Sequence, residues 1–438
     1  GESFDPSFPA LQNRLVQSRL SSGMKLLLLP KRTRGSTVFV ALRLGYGKVE
    51  SLRGWSTAAS LVPGMLLRGT TRHNRGQLQD ELARLETVIE AGSFGAGVAQ
   101  VTVETTRAHL HEALTLLAEI LRQPSFPAAE FEELKRAVLG QAEAARSDPE
   151  QLAQAVVRRQ LQPLADNDPR RVLSPDEQIA AVKPLELSSV IHSYREFFGG
   201  SDTTLAIVGD FAPEPVQPHA ESLFGDWKSP KAYSPLQLTP TGGKPTYDVL
   251  RTPGASGAAF VAGWSVGVGD QHPDYAALLL GNFLFGGFNN SRLMNRLRKQ
   301  DGLSYVARSF LSDDPGQPAS LLLASATCGP AKVDQVDAAF REELARIMRE
   351  GYGLAELENG RRALLSSRHA LRTRDSALAM LLARNALAGR TLADEAKLED
   401  ALLNLTAEQV LAAWRRHIDQ SSVSTVKAGD IATHIERQ

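Results

Sequence analysis

Two polar side chains in the second half of the chain have types and a spacing that could act on a substrate. Arg298 and Tyr305 lie in a segment that reads SRLMNRLRKQDGLSY. A guanidinium and a phenol hydroxyl can both donate hydrogen bonds to an oxygen atom that gains negative charge during a reaction. Taken alone, such a pair is more often a solvated helix charge and a half-buried residue at the start of a strand. Whether Arg298 and Tyr305 act on a substrate therefore has to be decided from the rest of the chain.

The residue types that most often carry catalysis give no further signal. Of the nine histidines, only His109 and His111 are close in sequence, and on a helix, which their flanking residues favour, they point apart. The single cysteine, Cys328, excludes an internal disulfide and a cysteine metal cluster. The sequence contains no Walker loop and no cysteine with a plausible catalytic partner. It therefore predicts no metal site and no nucleophilic cysteine in this chain.

Composition indicates a globular protein and argues against two classes of partner. The 438 residues are 42% hydrophobic and 22% charged, and the chain is too long for a single ordinary core. Lysine plus arginine and aspartate plus glutamate are equal at 49 each, so nothing attracts the chain to nucleic acid or to an anionic membrane. No apolar run approaches the roughly 20 residues that span a bilayer.

An internal repeat predicts two related domains. The segment from Leu185 to Asp210 and the segment from Leu405 to Asp430 each read as a capped amphipathic helix, a turn and an apolar strand that ends in Gly-Asp. A second pair, FPAAEFEELKRAVL and YGLAELENGRRALL, occurs in the same order. The alternative is two unrelated α/β regions that share similar helix patterns.

These patterns predict an α+β fold of two homologous domains, each with a mixed, mostly antiparallel sheet and helices packed on one face. The predicted domains are residues 1–227 and 248–438, joined by an exposed linker at 228–247 that is rich in Pro, Ser, Thr and Gly. The predicted strands are Lys25–Leu29, Val38–Leu44, Gln100–Glu104 and Thr204–Val208 in the first half, and Val249–Arg251, Ala258–Trp264, Leu321–Ala326 and Ser422–Val426 in the second.

The segment from Val38 to Thr70 reads as a strand, a glycine turn and a helix that ends in MLLRGT. It resembles the signature of the pitrilysin superfamily, which includes insulin-degrading enzyme and the mitochondrial processing peptidases. In that family H-x-x-E-H precedes such a tail, and the matching positions here are Ser60, Pro63 and Gly64. The family's third ligand is a glutamate in a later helix, where this chain reads VLGQA and places Gly140 and Gln141.

The resemblance implies that the metal chemistry is lost. Zinc peptidases of this kind need two imidazoles one helical turn apart and a carboxylate that acts as general base. Ser60 is a poor zinc ligand, Gly64 has no side chain, and Pro63 is expected to break or kink the helix. Gly140 and Gln141 replace the acidic pair, so no ligand and no base remain at the matching positions.

The same resemblance gives Arg298 and Tyr305 a role. In the family an arginine seven residues before the tyrosine of G-L-x-Y joins it in meeting the substrate carbonyl. The match extends upstream through Asp274–Leu278 and Gly286–Phe288. The resemblance therefore implies a substrate and oxyanion clamp that acts on chemistry supplied by another chain.

The leading hypothesis is a non-catalytic subunit of a two-chain zinc peptidase. The partner would be a homologous chain that holds the zinc, the substrate an extended peptide, and this chain half of a clamshell chamber; an isolated chain could form a homodimer. The alternatives are a structural scaffold subunit and an independent peptide-binding protein. An active enzyme with an unrecognised metal site is disfavoured.

The start of the sequence favours a processed chain. Gly1 stands in a polar stretch where a methionine is absent, as expected after removal of a targeting signal or as a cloning remnant. Together with the resemblance to bacterial two-chain members, this predicts a periplasmic protein. A cytoplasmic or organellar location is the alternative.

Overall fold

Two β-sheets form the centre of the chain. In this computed structural model, which describes residues 1–240 and 244–431, the first sheet has six strands in the order β1-β2-β6-β3-β5-β4. These strands are Val16–Arg19 (β1), Lys25–Pro30 (β2), Thr37–Gly45 (β3), Val88–Ser93 (β4), Val98–Thr106 (β5) and Thr203–Gly209 (β6). The second sheet has five strands in the order β7-β11-β8-β10-β9. They are Tyr247–Arg251 (β7), Ala258–Val266 (β8), Ser304–Leu311 (β9), Ser320–Cys328 (β10) and Ser424–Gly429 (β11).

Long helices lie between these strands, as the sequence predicts. In the first half they are Phe8–Arg14 (α1), Val49–Leu52 (α2), Ser56–Leu66 (α3), Arg75–Arg84 (α4), Leu110–Arg122 (α5), Ala128–Ala145 (α6), Pro149–Leu161 (α7), Pro175–Val182 (α8), Leu187–Phe197 (α9) and Pro213–Phe224 (α10). In the second half they are Tyr275–Asn282 (α11), Val333–Glu350 (α12), Leu354–Thr373 (α13), Asp375–Leu387 (α14), Leu392–Asn404 (α15) and Ala407–His417 (α16). Two further segments, Phe283–Gly287 and Met294–Gln300, are π-helical.

The two sheets share one topology. In the first, β2 pairs with β6 in parallel, and β3, β5 and β4 follow in antiparallel pairs. In the second, β7 pairs with β11 in parallel, and β8, β10 and β9 follow in the same antiparallel manner. The first sheet only adds β1 at its edge. The predicted fold class is therefore confirmed, and the shared strand order is that expected of a duplication.

Each sheet carries the helices of its own half on one face, as predicted, and a helix from the opposite half on the other. The helix α14 packs on β3 and β6 of the first sheet, where Leu378, Leu382 and Ala383 are buried. In return, α7 packs on β8 and β11 of the second sheet, with Ala153 and Val157 buried. This exchange was not predicted, because both helices follow the sequence pattern of their own half.

The join between the sheets has no helix or strand in its described residues 228–240 and 244–246. It is nevertheless held in place rather than loose. The backbone N–H of Ser234 donates to the carbonyl of Gly47 at 3.0 Å, and that of Leu238 to Oε1 of Gln317 at 2.6 Å. The predicted domain limits stay predictions, and residues 241–243 of the linker and 432–438 of the second domain lie outside the described residues. Among the helices of the described part, none is long and apolar enough to cross a membrane.

Candidate functional site

The helix α3, which carries three of the four degenerate metal positions, is held by its apolar side. Leu61, Val62, Met65 and Leu66 are buried in the core of the first half, and α3 contacts α9, α6 and β4. The expected break at Pro63 does not occur, because α3 continues through this buried proline to Leu66. Burial on the apolar side outweighs the hydrogen bond that a proline removes from a helix.

The three degenerate positions of α3 offer nothing to a metal ion. Ser60 is exposed, and its hydroxyl donates to the carbonyl of Thr57 at 2.7 Å. A Cβ atom placed on Gly64 would lie 3.1 Å from a methyl carbon of Leu134 in α6. The space into which a side chain at position 64 would project is therefore filled by Leu134, and α3 and α6 pack together here.

The fourth position lies further along α6. Gln141 is exposed, and its neutral amide replaces the charged oxygen that a zinc ion prefers. Gly140 has open space around the position of a Cβ atom. No hydrogen bond or ion pair of the Gln141 side chain is found within the described ranges. The resemblance placed these residues in a later helix, and that helix, α6, contacts α3.

A cavity of about 540 Å³ remains beside the degenerate helix. Ser60 and Leu61 of α3, Val138 of α6 and the loop Gly95–Gly97 line it, together with the segment from Asp166 to Pro169. Asp168 is buried, and Arg170 binds both of its oxygens, at 2.9 and 2.7 Å. Hydrogen bonds from this arginine hold the pKa of Asp168 below its usual range. This carboxylate is thus an ion-pair partner rather than a base for activating water.

The MLLRGT segment at the end of α3 stabilises the packing of neighbouring helices. Arg68 donates to the carbonyl of Gly64 at 3.2 Å and to Oε2 of Glu130 in α6 at 2.9 Å. Thr70 and His73 both hydrogen-bond to buried Glu119, the latter at 2.8 Å. These contacts join the end of α3 to α6 and α5. Retention of the MLLRGT tail is therefore explained without any metal.

Replacing Arg68 by alanine is expected to lower the free energy of unfolding by about 2 kcal/mol, because a hydrogen-bonded ion pair that is mostly shielded from water is removed. Its side chain is 14% exposed, and that of Glu130 22%. The change would be measured by urea denaturation. Arg72→Ala is the matched control, because Arg72 is exposed and its side chain has no ion pair within the described ranges; an equal loss in both variants would contradict the structural role of Arg68.

The two residues of the predicted clamp lie close together in the second half. Arg298 is exposed near the end of the π-helical segment Met294–Gln300, and Tyr305 is the second residue of the edge strand β9. A turn at Gly302, whose φ of +60° suits glycine, joins the two elements. Tyr305 is 69% exposed. Across residues 1–240 and 244–431, neither side chain makes a hydrogen bond or an ion pair, so their joint action on a substrate stays a prediction.

One group of residues that could hold a metal ion was not predicted from the sequence. His272, Asp274 and His417 each place a ligand atom within 4.8 Å of the others. The atoms are engaged, however: Nδ1 of His272 accepts the backbone N–H of Asp274 at 3.0 Å, and Arg416 and His417 both bind the Asp274 carboxylate. A cation would have to compete with the guanidinium of Arg416. The geometry is that of an ion-pair cluster that joins the start of α11 to the end of α16, and only the folded chain brings these residues together.

Comparisons with known proteins agree with this picture. Residues 184–364 match the family described as peptidase M16 inactive domain. The non-peptidase homolog YmxG of Helicobacter pylori is 27% identical over 210 residues, which are 47% of this chain and 46% of that relative. The match thus spans about half the length of the curated relative.

Solved structures share the fold over nearly the whole chain. A peptidase M16 inactive domain from Pseudomonas fluorescens has a TM-score of 0.84 at 20% identity, covering 96% of this chain and 98% of that one. A protease from Helicobacter pylori gives 0.84 at 16% identity, covering 95% and 99%. The periplasmic protease PqqL from Escherichia coli gives 0.75 at 16% identity, covering 95% of this chain and 46% of that one. These likenesses show that the chain has the fold of these proteins over nearly its whole length, and residues 184–364 match the inactive domain of the M16 peptidases.

Proposed function

We propose that this chain is the non-catalytic subunit of a two-chain zinc peptidase. The partner is a homologous chain that supplies the zinc ion and the general base. This chain supplies Arg298 and Tyr305 to the substrate carbonyl, and half of the chamber that encloses an extended peptide. The observation that carries the proposal concerns Arg298. Its side chain makes no hydrogen bond or ion pair within the described residues, whereas neighbouring arginines in the same segment are paired with carboxylates.

The basic residues around Arg298 have structural partners. Arg292 forms ion pairs with Glu343 at 3.0 Å and with Glu356 at 2.5 Å, and the hydrogen bonds that it donates to Glu356 raise its pKa. Arg296 pairs with Asp301 at 2.7 Å. These contacts fix the π-helical segment on α12 and α13. They leave Arg298 on a rigid support, which favours a guanidinium that acts outside its own chain.

Tyr305 supports the same interpretation. Tyr305 is 69% exposed on the edge of the sheet, so its ring lacks the stabilisation that burial in a core would give. Its hydroxyl can donate to an oxygen of a bound peptide, and Arg298 can add a second, charge-assisted donor. Two donors that meet one developing oxyanion would stabilise the transition state more than the bound substrate.

The test is reconstitution. Purified alone, the chain is expected to bind no stoichiometric zinc and to cleave no peptide, as measured by metal analysis and by a fluorogenic peptide library. Mixing it with the homologous chain that carries H-x-x-E-H should produce activity that neither chain has alone. Zinc in the isolated chain at one ion per molecule, or full activity of the partner by itself, would overturn the proposal.

A further inference from the structure

A cavity of about 720 Å³ lies between the two halves of the chain, apart from the degenerate metal positions. The first sheet contributes Arg43 of β3 and the loop at Phe94, and α7 contributes Arg158. The linker adds Tyr233 and residues 235–238, and α14 adds Arg384. Because α7 and α14 are the two exchanged helices, this cavity forms only when both halves are in place.

Arg43 is the most unusual group in this cavity. Its side chain is buried, with the residue 7% exposed, and its Nε atom has no hydrogen-bond partner among the described residues. The guanidinium lies 3.9 Å from the centre of the Phe94 ring. Within the same described ranges Arg43 has no ion pair. A buried cation without an anion is costly, so the position is unfavourable unless an anion comes to it.

Two more arginines in this cavity have N–H donors without a partner among the described residues. Arg158 has no ion pair within residues 1–240 and 244–431. Arg384 pairs with Asp313 at 3.0 Å, but its Nε atom has no partner in that part of the chain. Burial, together with the charge of Arg384, lowers the pKa of Arg43 to about 10, as expected when cations are crowded together away from water.

The carboxylates around the cavity do not neutralise these cations. Asp168 and Asp270 are taken by Arg170 and Arg390, which leaves Asp314 to face Arg43 and Arg158. The protein that surrounds Asp314, together with neighbouring Asp313, raises its pKa. Asp314 is a single carboxylate for the two guanidinium groups of Arg43 and Arg158, so the cavity keeps an excess of positive charge.

Apolar side chains also form part of the cavity wall. Phe94, Tyr233, Leu236 and Leu387 line the cavity beside the arginines. A Cβ atom on Gly45 would lie 2.6 Å from the Tyr233 ring, so this ring is seated closely against the end of β3. Pockets of this size and mixed lining are typical of sites for small molecules, where apolar walls give affinity and a few polar groups fix orientation.

We propose that the cavity binds a small amphiphilic oxyanion, in which a carboxylate or phosphate meets Arg43 and Arg158 and an aromatic or apolar body lies against Phe94 and Tyr233. Such a ligand would contact both halves at once and would stabilise their arrangement. Arginine suits both anions because its planar group donates two parallel hydrogen bonds.

Three probes test the proposal on the full chain by isothermal titration calorimetry. Hippurate presents a carboxylate, phenyl phosphate a phosphate, and benzamide the same ring without a charge. Saturable binding of hippurate or phenyl phosphate, and none of benzamide, is expected, and the stronger of the two anions identifies the source chemistry. Arg43→Gln should weaken the binding by about 10- to 100-fold, as loss of a charge-assisted hydrogen bond predicts.

Two further variants provide an independent test of the cavity and a control for surface charge. Arg158→Gln removes a half-buried arginine of the same cavity and should also weaken binding, even if Arg43→Gln fails to fold. Arg362→Gln removes an exposed arginine of α13 and should leave binding unchanged. Absence of saturable binding by wild type, or equal affinity of the Arg43 and Arg158 variants and wild type, would overturn the proposal. So would an equal loss in the Arg362 variant, which would point to surface charge alone.

Discussion

Replacing Arg298 by alanine in the reconstituted two-chain peptidase is expected to lower kcat/KM about 100- to 1,000-fold, the usual effect of losing one oxyanion donor. Tyr305→Phe, which removes only the hydroxyl, should lower it by a similar factor. The loss should fall mainly on kcat, because both donors act most strongly on the oxygen that gains charge in the transition state. Zinc content and assembly of the complex should not change, and both would be measured beside the kinetics.

The controls separate a clamp from a merely structural role. Arg362→Ala removes an exposed arginine of α13 and should leave kcat/KM unaltered. Arg298→Lys keeps the charge but loses the planar fork, so it should restore only part of the activity. If Arg298→Ala and Tyr305→Phe both leave the complex fully active, the clamp assignment is wrong, although the subunit assignment can still be judged by reconstitution.

Replacing Leu378 by alanine is expected to lower the free energy of unfolding by about 2–5 kcal/mol, as truncation of a fully buried leucine does. Leu378 is 0% exposed and packs in the cluster that joins α14 to the first sheet. Its loss should weaken protection of β3 and β6, the strands on which α14 packs although they are distant from it in sequence. Hydrogen exchange of the backbone amides and urea denaturation would measure the two effects.

A matched leucine provides the control for this prediction. Leu371, on the preceding helix α13, is 45% exposed, so Leu371→Ala should cost less than about 0.5 kcal/mol. Loss of protection confined to the second half of the chain in the Leu378 variant would show that α14 does not support the first sheet. A small effect on stability would lead to the same conclusion.

The predicted strands all overlap observed ones, and the three missed strands share a physical cause. β1, β4 and β9 lie at the edges of their sheets. Edge strands pair on one side only and carry polar or exposed residues, such as Arg308 and Phe310 in β9, so they lack the continuous apolar runs of β2 or β6. Ser422 was placed in a strand that begins at Ser424, an error at an element boundary.

The sequence by itself determined that Ser60, Pro63, Gly64 and Gln141 offer neither two zinc-binding imidazoles nor a general base, because those roles depend on side-chain types that these residues do not have. It also determined the repeated fold, since the pattern of apolar residues and caps is local. Tertiary structure alone decided that α3 continues through Pro63 and that Leu134 packs against Gly64. It also decided that α7 and α14 each pack on the sheet of the opposite half. It alone placed Arg43 in a cavity between the halves. These features arise from contacts between residues far apart in the chain, and packing decides them after local preferences have been met.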